Sequence, residues 1–196
     1  MPLILFNGPT SPFGRTVKVT MLELKLPVEE RAIDIYTAEF IDKINPLRQI
    51  PTLQLEDGSG LYDSRIICRY FDSISGKPSL FPKSDAWGVE TRVALGTGIM
   101  EAGLLRRMEI VRPKTEQSPD YIKKQEVRID RSIDHLELLV GKLSGSALTM
   151  DQIVVGCALG YTDFRYNDGW RKRNPKLDAW ERSFAQRPAM QATKPS

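Results

Sequence analysis

Only two cysteines and one histidine occur in the 196 residues. Cys68 and Cys157 stand far apart in apolar, helix-like surroundings, so they supply neither a disulfide framework nor a zinc cluster. Both read as small core residues. His135, between Asp134 and Leu136, reads as a surface histidine rather than a catalytic base. Long apolar runs are also lacking. No stretch approaches the roughly 18 residues a membrane helix needs, and Met1-Pro2-Leu3-Ile4-Leu5-Phe6 has no basic segment to make it a signal peptide. A soluble, cytoplasmic protein without a membrane association is expected. Charge of one sign is scarce too: 28 basic residues face 25 acidic ones, a net +3. Nine basic and ten acidic residues precede position 81, and nineteen and fifteen follow it. So diffuse an excess gives no nucleic-acid footprint. The one dense run, Arg171-Lys172-Arg173, is expected to be a solvated approach to a helix.

What is present is ordinary globular composition, with 41% apolar and 27% charged residues. A chain of this length buries about 70% of its unfolded surface, enough for a core without staples. Residues 3–7 (LILFN) form a short apolar run, expected as a buried strand. Gly8-Pro9-Thr10-Ser11-Pro12 then breaks the chain before a helical pattern ending at Leu26-Pro27. A second strand is expected over Ala32–Tyr36, where Ile33 and Ile35 alternate with Asp34. Residues 37–44 are a loose helix or loop. A third strand at 51–56 turns at Asp57-Gly58-Ser59-Gly60 into Leu61-Tyr62, and Asp63-Ser64 opens a helix. The order is β-α-β, then β-β-α.

From Ser73 to Ser84 the chain is rich in Ser, Gly and Pro, and strand signals then vanish. Residues 86–112 form one helical pattern. Residues 119–143 form another, with Ile122, Ile129, Ile133, Leu136, Val140 and Leu143 on one core-facing stripe. Thr149 and Gln152 fit a capping box, with Asp151 just before the glutamine. The expected division is an α/β domain over 1–76, a linker over 77–85 and an all-helical domain over 86–196.

Three segments are candidates for chemistry. Thr10-Ser11-Pro12-Phe13-Gly14-Arg15 places a hydroxyl at a helix N-terminus, where free N–H groups and the helix dipole favour an anion; the same residues also make a plain cap. In Asn45 to Leu53, a cis Ile50-Pro51 bond would present the Ile50 backbone to a ligand, although base rates alone favour trans. Asp63-Ser64 offers a hydroxyl at a second helix start, and equally a cap.

Taken together, Ser11-Pro12-Phe13, Asn45-Pro46-Leu47 with Ile50-Pro51, and Asp63-Ser64 follow the thioredoxin-like order. The chain resembles the glutathione S-transferases, most closely the short bacterial branch with S-P-F/Y after the first strand. Gly98 to Gly103, Leu159-Gly160-Tyr161, and Asn174-Pro175 through Arg187-Pro188 extend the resemblance over nearly the whole chain. It implies a thioredoxin-like N-terminal domain followed by an all-helical domain, a homodimer, and glutathione as co-substrate with no metal. It also implies roles. Ser11, with Thr10 as a possible substitute, would donate to the glutathione sulfur and favour its thiolate. Phe13 belongs to the same site. The Ile50 backbone, ahead of a cis Pro51, would pair with the cysteinyl part. Ser64, with Asp63, would hold the γ-glutamyl carboxylate.

Two departures stand out. Arg48-Gln49 replaces the Gly-Lys of many relatives, so Arg48 would have to meet the glycyl carboxylate in place of the lysine. Asp63 stands where Glu or Gln is usual. Ser11 and Gly14 occupy both cysteine positions of the C-P-Y-C motif in disulfide-exchanging relatives, which removes dithiol exchange. The acceptor is expected between the domains, against Met100, Leu104, Arg107 and Tyr166, with Trp170 nearby. The expected activity is transfer of glutathione to a small hydrophobic electrophile. The alternatives are a stress-related binding module, or glutathione-dependent ether cleavage, peroxide reduction or isomerisation.

Overall fold

The computed structural model describes residues 2–145, 147–166 and 169–195. The chain divides into two compact units, the break falling between Leu80 and Phe81. The first unit is built on β1 (Ile4–Asn7), β2 (Glu29–Ala32), β3 (Thr52–Gln54) and β4 (Gly60–Leu61), in the sheet order β2-β1-β3-β4. β1 and β2 are parallel and joined through α1 (Pro12–Leu24). β3 runs antiparallel to both β1 and β4, and α2 (Ser64–Ile74) follows β4. This is the thioredoxin-like arrangement.

Alternation along β1 separates two apolar layers. Ile4 and Phe6 are buried with Ile41 from a 3-10 turn over Glu39–Lys43, and Ile33, Ile35 and Ile44 pack against them. Leu5 and Leu53, partners across the ladder, point to the other face and are fully buried. α1 lies on that face, with Gly14 against Asn7. It meets α2 where the Cys68 thiol donates to Thr20 Oγ1 at 3.5 Å. Both cysteines are buried core residues and form no disulfide.

The second strand lies earlier than its Ile33/Ile35 alternation suggests. After Ala32, the Ile33 N–H donates a last bond to the Asn7 carbonyl at 2.9 Å. Asp34 then turns the chain, its carboxylate accepting from the Tyr36 N–H and its carbonyl from those of Thr37 and Ala38. The isoleucines are half-buried in a turn. β2 itself, Glu-Glu-Arg-Ala, is exposed throughout. Its charges suit a sheet edge that must not recruit another strand.

The second unit is helical: α3 (Ala86–Ile110), α4 (Pro119–Leu143), α5 (Met150–Arg165), α6 (Trp170–Arg173), α7 (Pro175–Phe184) and α8 (Pro188–Ala192). Every residue of α5 from Met150 to Leu159 is buried, so it is the centre of this unit rather than an amphipathic cover. Small residues admit its neighbours: a Cβ on Gly96 would lie 2.8 Å from Val154 Cγ1, and one on Gly156 would lie 2.8 Å from Phe184 Cδ1. On α4, Ile129, Ile133, Leu136 and Leu143 are buried, while Ile122 and Val140 are half-buried. His135 is exposed. Among the described residues no helix is long and apolar enough to cross a membrane.

The start of α5 carries the unit's main buried charge. The capping box forms, with the Thr149 N–H donating to Gln152 Oε1 at 3.0 Å. Asp151 is wholly buried and pairs with the buried Arg92 of α3, whose other arm reaches Asp85 at 2.8 Å. Of the basic run, Lys172 and Arg173 are exposed as expected, but Arg171 is not. Arg171 is ion-paired with Asp163, Asp178 and Glu181 and lies over the Trp170 ring, 4.6 Å from its centroid.

Removing one partner of a buried ion pair costs about 3–5 kcal/mol. Asp151→Ala should therefore cost about 3 kcal/mol and lower Tm by roughly 6–12 °C. Asp85→Ala, which removes a half-exposed carboxylate, should lower it by a few degrees at most. Equal losses in calorimetry would show that Asp151 is not the anchor.

Candidate active site

Strand register gathers the three candidate segments at one end of the sheet. Phe6 pairs with Thr52 across one ladder, and Leu53 with Leu61 across the other. Continued past the ladders, the same register sets Pro51 opposite Asn7 on one side and opposite Asp63 on the other. The β1–α1 turn, the loop before β3 and the start of α2 thus meet at the C-terminal end of β1. Side chains close the gap: a Cβ on Gly8 would lie 2.5 Å from Ile50 Cδ1, so Ile50 packs directly over the β1–α1 turn.

Ser11 is the N-cap of α1, with Pro12 in the first turn and its Oγ accepting from the Gly14 N–H at 3.1 Å. Capping uses the oxygen and leaves the hydroxyl proton to donate elsewhere. No acidic residue sits in the first turn of α1, so its positive end is not neutralised by its own side chains. Thr10 is exposed in the preceding turn, which is closed by the Ser11 N–H donating to the Gly8 carbonyl at 3.2 Å. Phe13 is half-buried on the first helical turn.

Asn7 fixes this turn from below, and it is the residue sequence reasoning missed. It is buried at the end of β1; its Oδ1 accepts from the Gly8 N–H at 2.8 Å, and its amide donates to Glu30 at 3.1 Å. A Cβ at position 14 would fall 1.7 Å from Asn7 Oδ1. Position 14 is glycine because the asparagine amide occupies that space. The available signals were a polar residue ending an apolar run, and a glycine in the first turn of a helix, where it lowers helix propensity.

The loop before β3 is wound around a second buried asparagine. Asn45 donates to Thr52 Oγ1 at 2.8 Å and to the Gln49 carbonyl at 3.1 Å, and its Oδ1 accepts from the Leu47 N–H at 3.0 Å. The Ile50–Pro51 bond is cis, against the general preference for trans, and so is the Tyr62–Asp63 bond. Arg48 has φ +46°, a left-handed conformation that favours glycine. Its guanidinium is held in two bonds by Asp42, which keeps the Asp42 carboxyl below the usual carboxylate range. Gln49 is exposed beside it.

At the start of α2 the two candidate residues divide the work. Asp63 is the N-cap, its Oδ1 accepting from the Arg65 N–H at 3.0 Å. Ser64 is the first helical residue and is buried, so the capping alternative for its hydroxyl falls away.

The residues expected around the acceptor are less uniform. Met100 is 1% exposed, a core residue, whereas Leu104 and Arg107 are exposed on the same helix. Tyr166 turns towards α4: Arg106 stacks on its ring at 4.4 Å, and its hydroxyl donates to Asp130 at 3.5 Å. Trp170 is wholly buried, with Nε1–H donating to Asp163 at 2.9 Å, and lines no surface.

Residues 5–79 match the family model described as glutathione S-transferase, N-terminal domain, and residues 119–183 match the corresponding C-terminal domain. YibF of Escherichia coli K12, described as an uncharacterized GST-like protein, is 33% identical over 97% of this chain and 98% of its own. The chain belongs to the glutathione S-transferase family. Among solved structures, a glutathione transferase family member from Pseudomonas fluorescens Pf-5 with bound glutathione has a TM-score of 0.94 at 36% identity, covering 99% of each chain. A second structure of a family member from that organism, holding S-(propanoic acid)-glutathione, has a TM-score of 0.89 at 36% identity, covering 99% of this chain and 97% of that one. A glutathione S-transferase from Methylobacillus flagellatus KT with bound glutathione has a TM-score of 0.93 at 29% identity, covering 99% of this chain and all of the other.

The Asn7–Gly14 contact should be testable by itself. Gly14→Ala forces a methyl into the asparagine amide and should cost roughly 2–3 kcal/mol in chemical denaturation. The double change Asn7→Ala with Gly14→Ala should cost clearly less than the sum of the two single changes. Additive losses would mean the two positions do not compete for space.

Proposed function

We propose that this chain is a glutathione transferase, which binds glutathione at the sheet end of its thioredoxin-like unit, stabilises the thiolate and transfers it to a small hydrophobic electrophile. The observation that carries the reading is the convergence of Ser11 on an unneutralised helix N-terminus with the Ile50–Pro51 bond and the start of α2. Helix N–H groups and a hydroxyl donor favour a thiolate over a thiol, each unit of lowered pKa corresponding to about 1.4 kcal/mol. In the proposed site Ser11 donates to the sulfur, with Thr10 as its neighbour, and Phe13 flanks it. The Ile50 backbone beside Pro51 pairs with the cysteinyl part, and Ser64 with Asp63 receives the γ-glutamyl end. The thiolate then attacks the electrophilic carbon; the new C–S bond forms as a leaving group departs or as a double bond takes up a proton. Catalysis is positioning and charge stabilisation. The glutathione and S-substituted glutathione held by the relatives support this reading, and it extends to a cytoplasmic homodimer that removes electrophiles.

One observation favours a second reading, a glutathione-binding module with little turnover. Gln49 stands where relatives have lysine, and Arg48 is already engaged by Asp42. If Arg48 serves the glycyl carboxylate, Asp42 competes with it. Asp42→Ala should then tighten glutathione binding several-fold and Arg48→Ala should weaken it; no change in either would leave Arg48 outside the site.

The deciding experiment is a glutathione titration across pH, following heat of binding together with the ultraviolet absorbance of the thiolate. Thiolate appearing below the pKa of the free thiol supports the transferase. Binding without thiolate supports the module, and no binding overturns both. Ser11→Ala should raise the pKa of bound glutathione by about one unit, ~1.4 kcal/mol, with little change in affinity. If Thr10→Ala does this and Ser11→Ala does not, the donor is Thr10.

A further inference from the structure

Most arginines of the helical unit are neutralised at close range. Arg92 meets Asp85 and Asp151, Arg106 meets Glu126, Arg112 meets Glu109 and Glu116, Arg128 meets Glu101, and Arg171 meets three carboxylates. Arg107 and Arg165, like the exposed Arg131, have no such partner among the described residues, but these two stand together. Among the described residues neither is paired with a carboxylate. Both flank Tyr161. Its ring packs on Gly103 of α3, where a Cβ would come within 3.0 Å of Cε1. Arg107 lies one turn beyond Gly103 on α3, Arg165 one turn beyond Tyr161 on α5, and both cations act on the tyrosine hydroxyl.

That hydroxyl brings no counter-charge. Burial pushes its pKa up further than the two guanidiniums pull it down, so it stays a neutral phenol. Arg165 is stacked on Phe164, with Cζ 4.0 Å from the ring centroid, which limits its freedom before anything binds. Its Nε is shielded from solvent and, among the described residues, hydrogen-bonded to nothing. A buried donor without an acceptor is unfavourable, and a guanidinium fork fits a carboxylate in two parallel bonds.

We propose that Arg107 and Arg165 form a carboxylate-recognition site, so that the acceptor conjugated by this protein carries a carboxylate. That the carboxylate belongs to the acceptor rests on the transferase reading; that the two arginines bind one does not. In this arrangement Tyr161 is a positioning residue for Arg165.

Two matched pairs of probes test it by calorimetry. One is S-(2-carboxyethyl)glutathione against S-propylglutathione, and the other, free of glutathione, is 3-phenylpropionate against 3-phenylpropanol. The expected result is that the carboxylate member of each pair binds about tenfold tighter or more, as a charge-assisted bond implies. Arg107→Gln and Arg165→Gln should each bring that ratio towards one, whereas Arg131→Gln, an exposed arginine of α4, should leave it intact. Tyr161→Phe should reduce the ratio only partly. Should Arg165→Gln fail to fold, the surface change at Arg107 still decides. Equal affinities within both pairs, or ratios unmoved by the Arg107 change, would overturn the proposal. Failure of glutathione itself to bind would sink the transferase reading, while the phenylpropionate pair would still decide the arginine site.

Discussion

The register of β3 sets the candidate site. This strand has only three residues and is bonded on both sides. A slip of one residue would turn Leu53 out of the core and move Pro51 away from both Asn7 and the start of α2. So short a strand gains little pairing energy of its own, and its register is held from outside. Leu53 is buried opposite Leu5, and the Asn45 amide clasps Thr52. On the far side, a Cβ at Gly60 would strike the Ile44 carbonyl at 2.2 Å, so the loop before β3 and strand β4 lie directly against each other. Two asparagines, Asn7 and Asn45, hold the turns at this end of the sheet by satisfying backbone groups that no strand or helix satisfies.

Element order was legible because the chain breaks are chemically loud: Gly8-Pro9 and Pro12, Pro27, Asn45-Pro46, Asp57-Gly58 and Pro113 each stop one pattern before the next begins. The position of β2 was not legible, since an edge strand held by backbone bonds carries no apolar alternation, while the nearby isoleucines bury themselves from a turn. At the candidate site, Ser11 could be placed from its neighbours Pro12 and Phe13, and its capping contact is a local one. The division of labour between Asp63 and Ser64 could not be read, because either residue type caps a helix. Nor could the occupation of Arg48 by Asp42, which depends on how the intervening loop folds back.

Charge in the helical unit shows the same limit. Asp151 reads locally as a first-turn acid, and Arg171 as one of three solvated bases. In space each belongs to a network tying helices together, Asp151 through Arg92 of α3 and Arg171 through carboxylates of α5 and α7. Sequence supplies the charges but not their partners, which lie many residues away.

The amide of Asn7 has a historical consequence. Disulfide-exchanging relatives carry cysteine at both ends of the motif that reads Ser11 to Gly14 here. A thiol at position 11 replaces a hydroxyl of similar size at the mouth of the turn. A thiol at position 14 meets the asparagine already in its place, and shrinking residue 7 gives up its bonds to Gly8 and Glu30. Any path between the one-hydroxyl and two-thiol forms of this loop must pass through position 7. A strand residue two positions before the first proline of the turn thereby sets the order in which the chemistry could have changed.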